Sequence, residues 1–171
     1  MEVYESIFGN TLQVENGIGK GSGDYYEVAV LEVGEASYDN VGNTELLVVG
    51  GSTHTLGMGR GISRNMGKKT LKEAVPVSEG VGVREWLAKL PKIEGVAVAV
   101  FDTRVPKTGR MPMGAAAKGI GAALRRRGGR LLAEPESFFV GDIAGPLLDD
   151  EDARATEWAK SLIPTTADLT V

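Results

Sequence analysis

The residues near the start of the chain best suited to chemistry are Ser6-Ile7-Phe8-Gly9-Asn10-Thr11. Two hydroxyls, a carboxamide and a flexible glycine fall where a short apolar run, Met1–Glu5, gives way to a helical pattern. Unpaired amides at a helix N-terminus, joined by short hydroxyl donors, make a cradle for a phosphate that needs no cation. No Lys or Arg occurs before Lys20, so the cradle acts through dipoles and donors alone. The same residues also read as a plain turn in which Thr11 caps the helix.

Two later stretches have the same character. Gly51-Ser52-Thr53-His54-Thr55-Leu56-Gly57-Met58-Gly59 is long, small and rich in donors, and Asp102-Thr103-Arg104-Val105-Pro106-Lys107 directly follows an apolar run ending at Phe101. Two such loops at neighbouring strand ends can clamp a flat ring. His54 reads either as a ligand contact or as a loop histidine bonded to backbone. A Ser52/His54 hydrolase is disfavoured, because the two are adjacent but one, no GxSxG elbow exists and no third partner is placed. The commoner nucleotide loops are absent: neither GxxxxGK[ST] nor GxGxxG occurs, although Gly19-Lys20-Gly21-Ser22 superficially resembles the former. Arg60, Arg64, Lys68, Lys69 and Lys72 share a stretch without an acid. It reads as a solvated loop, or as a lid that could attract an anionic partner such as NADPH.

Composition narrows the chemistry further. Nineteen Lys and Arg against 23 Asp and Glu leave a net charge of −4, which argues against a nucleic-acid surface. With no cysteine and a single histidine, thiolate metal sites, disulfides and polyhistidine metal sites are excluded. No apolar run approaches the ~20 residues of a membrane span, and no basic-then-apolar leader opens the chain. The expectation is a cytoplasmic protein without membrane contact, whose demanding chemistry comes from a bound cofactor or from carboxylates and hydroxyls.

The elements that must position these loops alternate. Met1–Glu5, Tyr26–Val33, Glu45–Gly50 and Gly95–Phe101 read as strands buried on both faces of a parallel sheet. A last strand, Arg130–Ala133 with Glu136–Val140, is interrupted by Pro135 and belongs at an edge. Helices are expected from Val83 to Leu90, over Gly114–Arg127, and over Asp149–Leu162 with Pro164 as its stop. A first helix near Asn10–Gly21 looks short and weak, since Gly17, Gly19 and Gly21 each cost about 1 kcal/mol relative to Ala. A short turn helix fits Glu35–Thr44. The pattern predicts one doubly wound α/β domain over residues 1–163 with a C-terminal tail at 164–171. Ligands of such sheets bind beyond the carboxyl ends of the strands, where all three unusual loops lie.

The stretch Tyr4-Glu5-Ser6-Ile7-Phe8-Gly9-Asn10-Thr11 resembles the phosphate loop of the flavodoxin family, which ends Gly-Asn-Thr. The resemblance continues through Val48-Val49-Gly50-Gly51-Ser52-Thr53-His54, Arg84-Glu85-Trp86-Leu87, Phe101-Asp102-Thr103-Arg104 and Pro135-Glu136-Ser137-Phe138-Phe139-Val140. It implies a five-stranded parallel sheet of order 2-1-3-4-5 with helices on both faces, and an FMN cofactor. It also implies electron transfer between redox partner proteins, a reductase and an acceptor. Carried over to this sequence, Ser6 and Thr11 donate hydroxyls to the FMN phosphate, completed by Asn10 and the amides of Ile7, Phe8, Gly9 and Thr11. Thr53, His54, Thr55, Leu56, Gly57 and Met58 line one side of the flavin, with Leu56-Gly57 as the peptide that turns toward its N5, and Ser52 joins the cofactor-binding set. Asp102, Thr103 and Arg104 hold the pyrimidine edge through backbone groups, and Phe101 joins the cofactor-binding set. Phe8 replaces a hydroxyl residue common in the loop, and neither flavin-facing loop carries Trp or Tyr, so His54, Leu56, Met58 or Met111 must cover the ring. The alternatives are a flavodoxin-like NAD(P)H-dependent quinone or flavin reductase, and a cofactor-free interaction module of the same fold.

Overall fold

A computed structural model of the chain describes residues 1–54, 57–58, 78, 80–106, 115–142 and 144–167. Its elements run β1 (Glu2–Tyr4), α1 (Asn10–Ser22), β2 (Val30–Glu32), a 3-10 turn (Val41–Asn43), β3 (Leu46–His54), β4 (Gly57–Met58), α2 (Val83–Lys89), β5 (Ala97–Arg104), α3 (Ala116–Arg126), β6 (Arg130–Leu131), β7 (Glu136–Phe139) and α4 (Glu151–Ala167).

The sheet order is β2-β1-β3-β5-β6, with every pair along this path parallel. Strands β6 and β7 both pair with β5, at Ala97–Val98 and at Phe101–Arg104 respectively. They are the two halves of the expected fifth strand, parted where Pro135 withholds a ladder donor, and they occupy a sheet edge as that proline requires. The expected order 2-1-3-4-5 is therefore observed. Beyond it, β3 gains a two-residue antiparallel partner, β4.

Alternation along the strands divides the core into two layers. Leu47, Val49, Val98 and Val100 pack with Val83, Trp86, Leu87, Ala117, Ile120 and Leu124 of α2 and α3. Leu46, Val48, Ala97, Ala99 and Phe101 pack with Val14, Ile18, Ala155, Ala159 and Leu162 of α1 and α4. Strands covered on both faces read as continuous apolar runs, and the Val-rich segments follow that rule. Both tryptophans belong to packing: the Trp86 indole donates to Ala36 O at 2.9 Å, and Trp158 meets Phe101 and Phe138 edge-on.

Four expectations are corrected. Strand β2 pairs only over Val30–Glu32, not Tyr26–Val33, because β1 offers three rungs, Glu2, Val3 and Tyr4. Strand β3 runs on to His54, because β5 keeps pairing through Ser52↔Thr103 and β4 takes Thr53 and His54. Helix α1 is a full 13 residues. Its Gly17 and Gly21, one turn apart, face α4: a Cβ on Gly17 would stand 2.8 Å from Asp152 O, and one on Gly21 would collide with Thr156 O. Helix α4 passes through Pro164 to Ala167. In the last turn the proline forfeits one bond to the carbonyl four residues back, without ending the helix.

Candidate functional site

Strand β1 stops where its residues change partners. The Glu5 amide still donates to Gly50 O at 3.1 Å, while its Oε2 accepts from Val83 N at 2.9 Å at the start of α2. Ser6 leaves the sheet altogether. Its N–H donates to Ser78 Oγ at 2.8 Å, and its carbonyl accepts from Ser78 N at 2.7 Å. Ile7 is then buried and Phe8 half-buried.

Gly9 is the N-cap of α1 and sits at φ 86°. That left-handed conformation suits a residue without Cβ. Thr11 is thus inside the first turn and is not the cap. Among the described residues no side chain caps the helix, and no acid stands in its first turn, so the amides of Asn10, Thr11 and Leu12 keep their partial positive charge for another acceptor. The Asn10 carboxamide crosses so close to Gly145 that a Cβ there would lie 2.6 Å from Asn10 Oδ1. The loop after β7 therefore stands against the first turn of α1.

The hydroxyls divide into two sets. Ser6 Oγ is fully buried and has no hydrogen-bond partner among the described residues. Leaving a hydroxyl so costs about 1–3 kcal/mol. Thr11 Oγ1 lies 2.9 Å from Ser52 Oγ and 2.8 Å from Thr103 Oγ1. Three hydroxyls hold three protons and two bonds use two, which leaves one proton to donate outside the cluster. The strand order places this cluster where β1 and β3 lead to opposite sides of the sheet, the crevice in which open α/β sheets take ligands.

The remaining expected residues serve mixed purposes. Thr53 Oγ1 donates to Asp102 Oδ2 at 2.7 Å, and these two groups accept from Ala116 N and Ala117 N at 2.8 and 3.0 Å. Their side chains thus cap α3. The backbone of Phe101, Asp102 and Thr103 pairs with β3 on one side and β7 on the other, and Arg104 pairs with β7. The Phe101 ring turns into the core and fills the space a Cβ on Gly50 would need. The Arg104 guanidinium stands 5.8 Å from the Phe139 ring. His54 and Gly57 are paired residues of the β3–β4 hairpin, as are Thr53 and Met58; the side chains of His54 and Met58 lie outside the described set. Thr55, Leu56, Met111 and the basic stretch Arg60–Lys72 also lie outside the described residues.

Ser78 and Gly145 escaped the sequence reading. Ser78 sits in a stretch with no regular pattern, and its partner is 72 positions away. Gly145 adjoins a proline, which marks a turn but not what the turn approaches.

A recess of about 580 Å³ opens at the opposite, amino-terminal end of the strands, lined by Met1, Glu2, Ser22, Tyr26 and Asn43 among others. Its carboxyl groups oppose an anionic ligand, so the donor-rich loops are the better candidate for one. Among the described residues, no helix is long and apolar enough to cross a membrane.

Sheet order, crossing helices and a donor-lined crevice at the switch point define a doubly wound α/β protein. No protein-family model matches the chain, and no curated protein matches it in sequence. Solved structures do match in shape. A flavodoxin from the domain Archaea superposes with TM-score 0.64 at 19% identity, over 97% of this chain and 96% of that one. Oxidised Flavodoxin 2 from Bacillus cereus gives 0.66 at 17%, over 95% and 96%. The flavodiiron core of Flv1 from Synechocystis gives 0.61 at 12%, over 98% of this chain but 36% of that one. The chain has the flavodoxin-like fold.

Proposed function

We propose that this protein binds FMN, with its phosphate on the Ser6–Thr11 loop, and carries electrons between a reductase and an acceptor protein. The observation that carries the reading is the buried Ser6 hydroxyl at the foot of α1: among the described residues the hydroxyl has no partner and the helix no side-chain cap. A buried donor without an acceptor fits a ligand oxygen, and a helix N-terminus fits a phosphate. The flavodoxins among the structural neighbours support the same cofactor class.

In this reading Ser6 Oγ and the first-turn amides of α1 hold the phosphate, and Gly9 keeps the backbone clear of it. The Thr11–Ser52–Thr103 cluster donates its spare proton, by way of Ser52, which is only half-buried. Asp102 and Thr53 fix α3 and so the crevice wall, while residues 53–58 and Arg104 at the end of β5 flank the ring. Bound FMN supplies the redox chemistry, and the protein sets its potential through charge and hydrogen bonds.

The test is a visible spectrum of the purified chain after adding FMN and removing the excess. Retained flavin bands that disappear in Ser6→Ala/Thr11→Ala are expected; no retained flavin overturns the reading. Reduction of the loaded protein by NAD(P)H alone would move it from carrier to reductase.

A further inference from the structure

We propose that Ser78 is a positioning residue for phosphate recognition, holding Ser6 so that its hydroxyl is aimed at the ligand phosphate and FMN is preferred over riboflavin. The inference rests on the FMN reading and adds a residue 72 positions beyond Ser6.

Ser6 and Ser78 exchange two hydrogen bonds, N–H to Oγ at 2.8 Å and carbonyl from N–H at 2.7 Å. Both residues are buried. The β1–β3 ladder ends at Glu5, so the backbone of Ser6 is directed by Ser78 and not by the sheet. Glu5 reinforces this by accepting from Val83 N at 2.9 Å. Consecutive residues of the loop are thus tied to the stretch that enters α2.

With its N–H and carbonyl both fixed, Ser6 keeps only its χ1 rotamer, a choice among three staggered positions. Its Oγ is sealed from solvent and unpartnered among the described residues, so those two backbone bonds fix the Cα–Cβ bond, and with it the three positions from which Oγ can meet a ligand. The loop also needs this hydroxyl, since Ile7, Phe8 and Gly9 bring no side-chain donor. Removing the Ser78 hydroxyl leaves the Ser6 amide buried without an acceptor. Buried amides are rarely left unpaired, so the loop rotates to find one and the Ser6 hydroxyl turns with it. The phosphate contact suffers, while the ring contacts do not.

The experiment measures FMN and riboflavin binding by quenching of flavin fluorescence, for the full chain and for Ser78→Ala and Ser78→Thr. The wild-type chain is expected to prefer FMN. Ser78→Ala should lose about tenfold in FMN affinity, the value of one hydrogen bond, with riboflavin unchanged. Ser78→Thr, which keeps the acceptor, should restore the preference. An unchanged FMN-to-riboflavin ratio in Ser78→Ala, whether both affinities fall or neither does, overturns the inference alone. A wild-type chain that binds neither flavin overturns the FMN reading and the inference with it. If circular dichroism shows that Ser78→Ala does not fold, Ser78→Cys supplies a weaker acceptor. Its ratio should then fall below that of the wild type, and a wild-type ratio would overturn the proposal.

Discussion

The carboxylate of Asp102 on β5 accepts the hydroxyl of Thr53 on β3 at 2.7 Å, and through this pair two strands hold the first turn of α3. The pair does for α3 what a capping residue does locally, but from the sheet. Asp102 is fully buried, so Asp102→Ala deprives both the Thr53 hydroxyl and the Ala117 amide of their acceptor. A loss of about 2–3 kcal/mol is expected, with Asp102→Asn losing about half as much. Urea unfolding should show the midpoint falling at constant slope. A midpoint equal to that of the wild type would remove Asp102 from the support of α3.

The glycines of α1 differ in what surrounds them. Gly21→Ala would press a methyl into Thr156 O and to 2.8 Å from Ala159 Cβ, whereas Gly19→Ala meets its nearest neighbour, Glu2 Oε2, at 3.4 Å. Gly21→Ala should destabilise by about 2 kcal/mol or more, as overpacking does. Gly19→Ala should stabilise by about 0.5–1 kcal/mol, through helix propensity and a less flexible unfolded chain. Thermal unfolding of the two variants checks the contrast, and shifts of the same sign would refute it.

That contrast shows what a sequence can convey about such a fold. Gly9 and the hydroxyls of Ser6 and Thr11 act within six residues, so their spacing is readable. The Val-rich strands are readable because burial on both faces leaves a continuous apolar run. Gly17 and Gly21 look like defects until α4 lies against them, and nothing local announces a helix 135 residues later. The extent of β2 depends on the three rungs of β1, not on its own apolar run. Ser78 and the Asp102–Thr53 pair act through bonds between residues distant in sequence, which leave no periodicity. Local torsional requirements and burial are thus legible, and the side chains that hold the site from a distance are not.

Arg154 joins α4 to the edge strand β7. Its guanidinium reaches Glu151 through Nε and Nη2 at 2.9 and 2.6 Å and Glu136 through Nη1 at 2.6 Å. It also donates to Ser137 O and lies 4.3 Å from the Phe138 ring. A planar fork meets these acceptors together, and an ammonium cannot. Arg154→Lys is therefore expected to cost about 1–2 kcal/mol despite conserving charge, with the loss largely retained in 0.5 M salt because the geometry and not only the charge is lost. A lysine variant with the wild-type denaturation midpoint would show that charge alone suffices.

Stability should also fall as pH rises, because two glutamates are buried together. Glu15 on α1 is fully buried and Glu2 on β1 nearly so. Burial pushes Glu2 up to about 7, against the opposing pull of the Ser22 hydroxyl and the Met1 ammonium. Burial, and then the charge of Glu2, hold Glu15 well above the ordinary carboxylate value. Glu45 and Tyr4 share this charge environment, Glu45 through the ammonium and Tyr4 through Glu15. Between 4.5, where an unfolded glutamate titrates, and about 7 the folded chain holds more protons than the unfolded one. The contribution of Glu2 is therefore fully present below pH 4.5 and is lost as pH rises through about 7. Glu15 extends the loss further. Glu15→Gln, which keeps the shape without a titrating proton, should flatten the slope and stabilise the chain at pH 8 by about 1–3 kcal/mol. Urea midpoints at pH 5, 6, 7 and 8 measure both, and a wild-type midpoint that climbs across this range would contradict the buried, protonated pair.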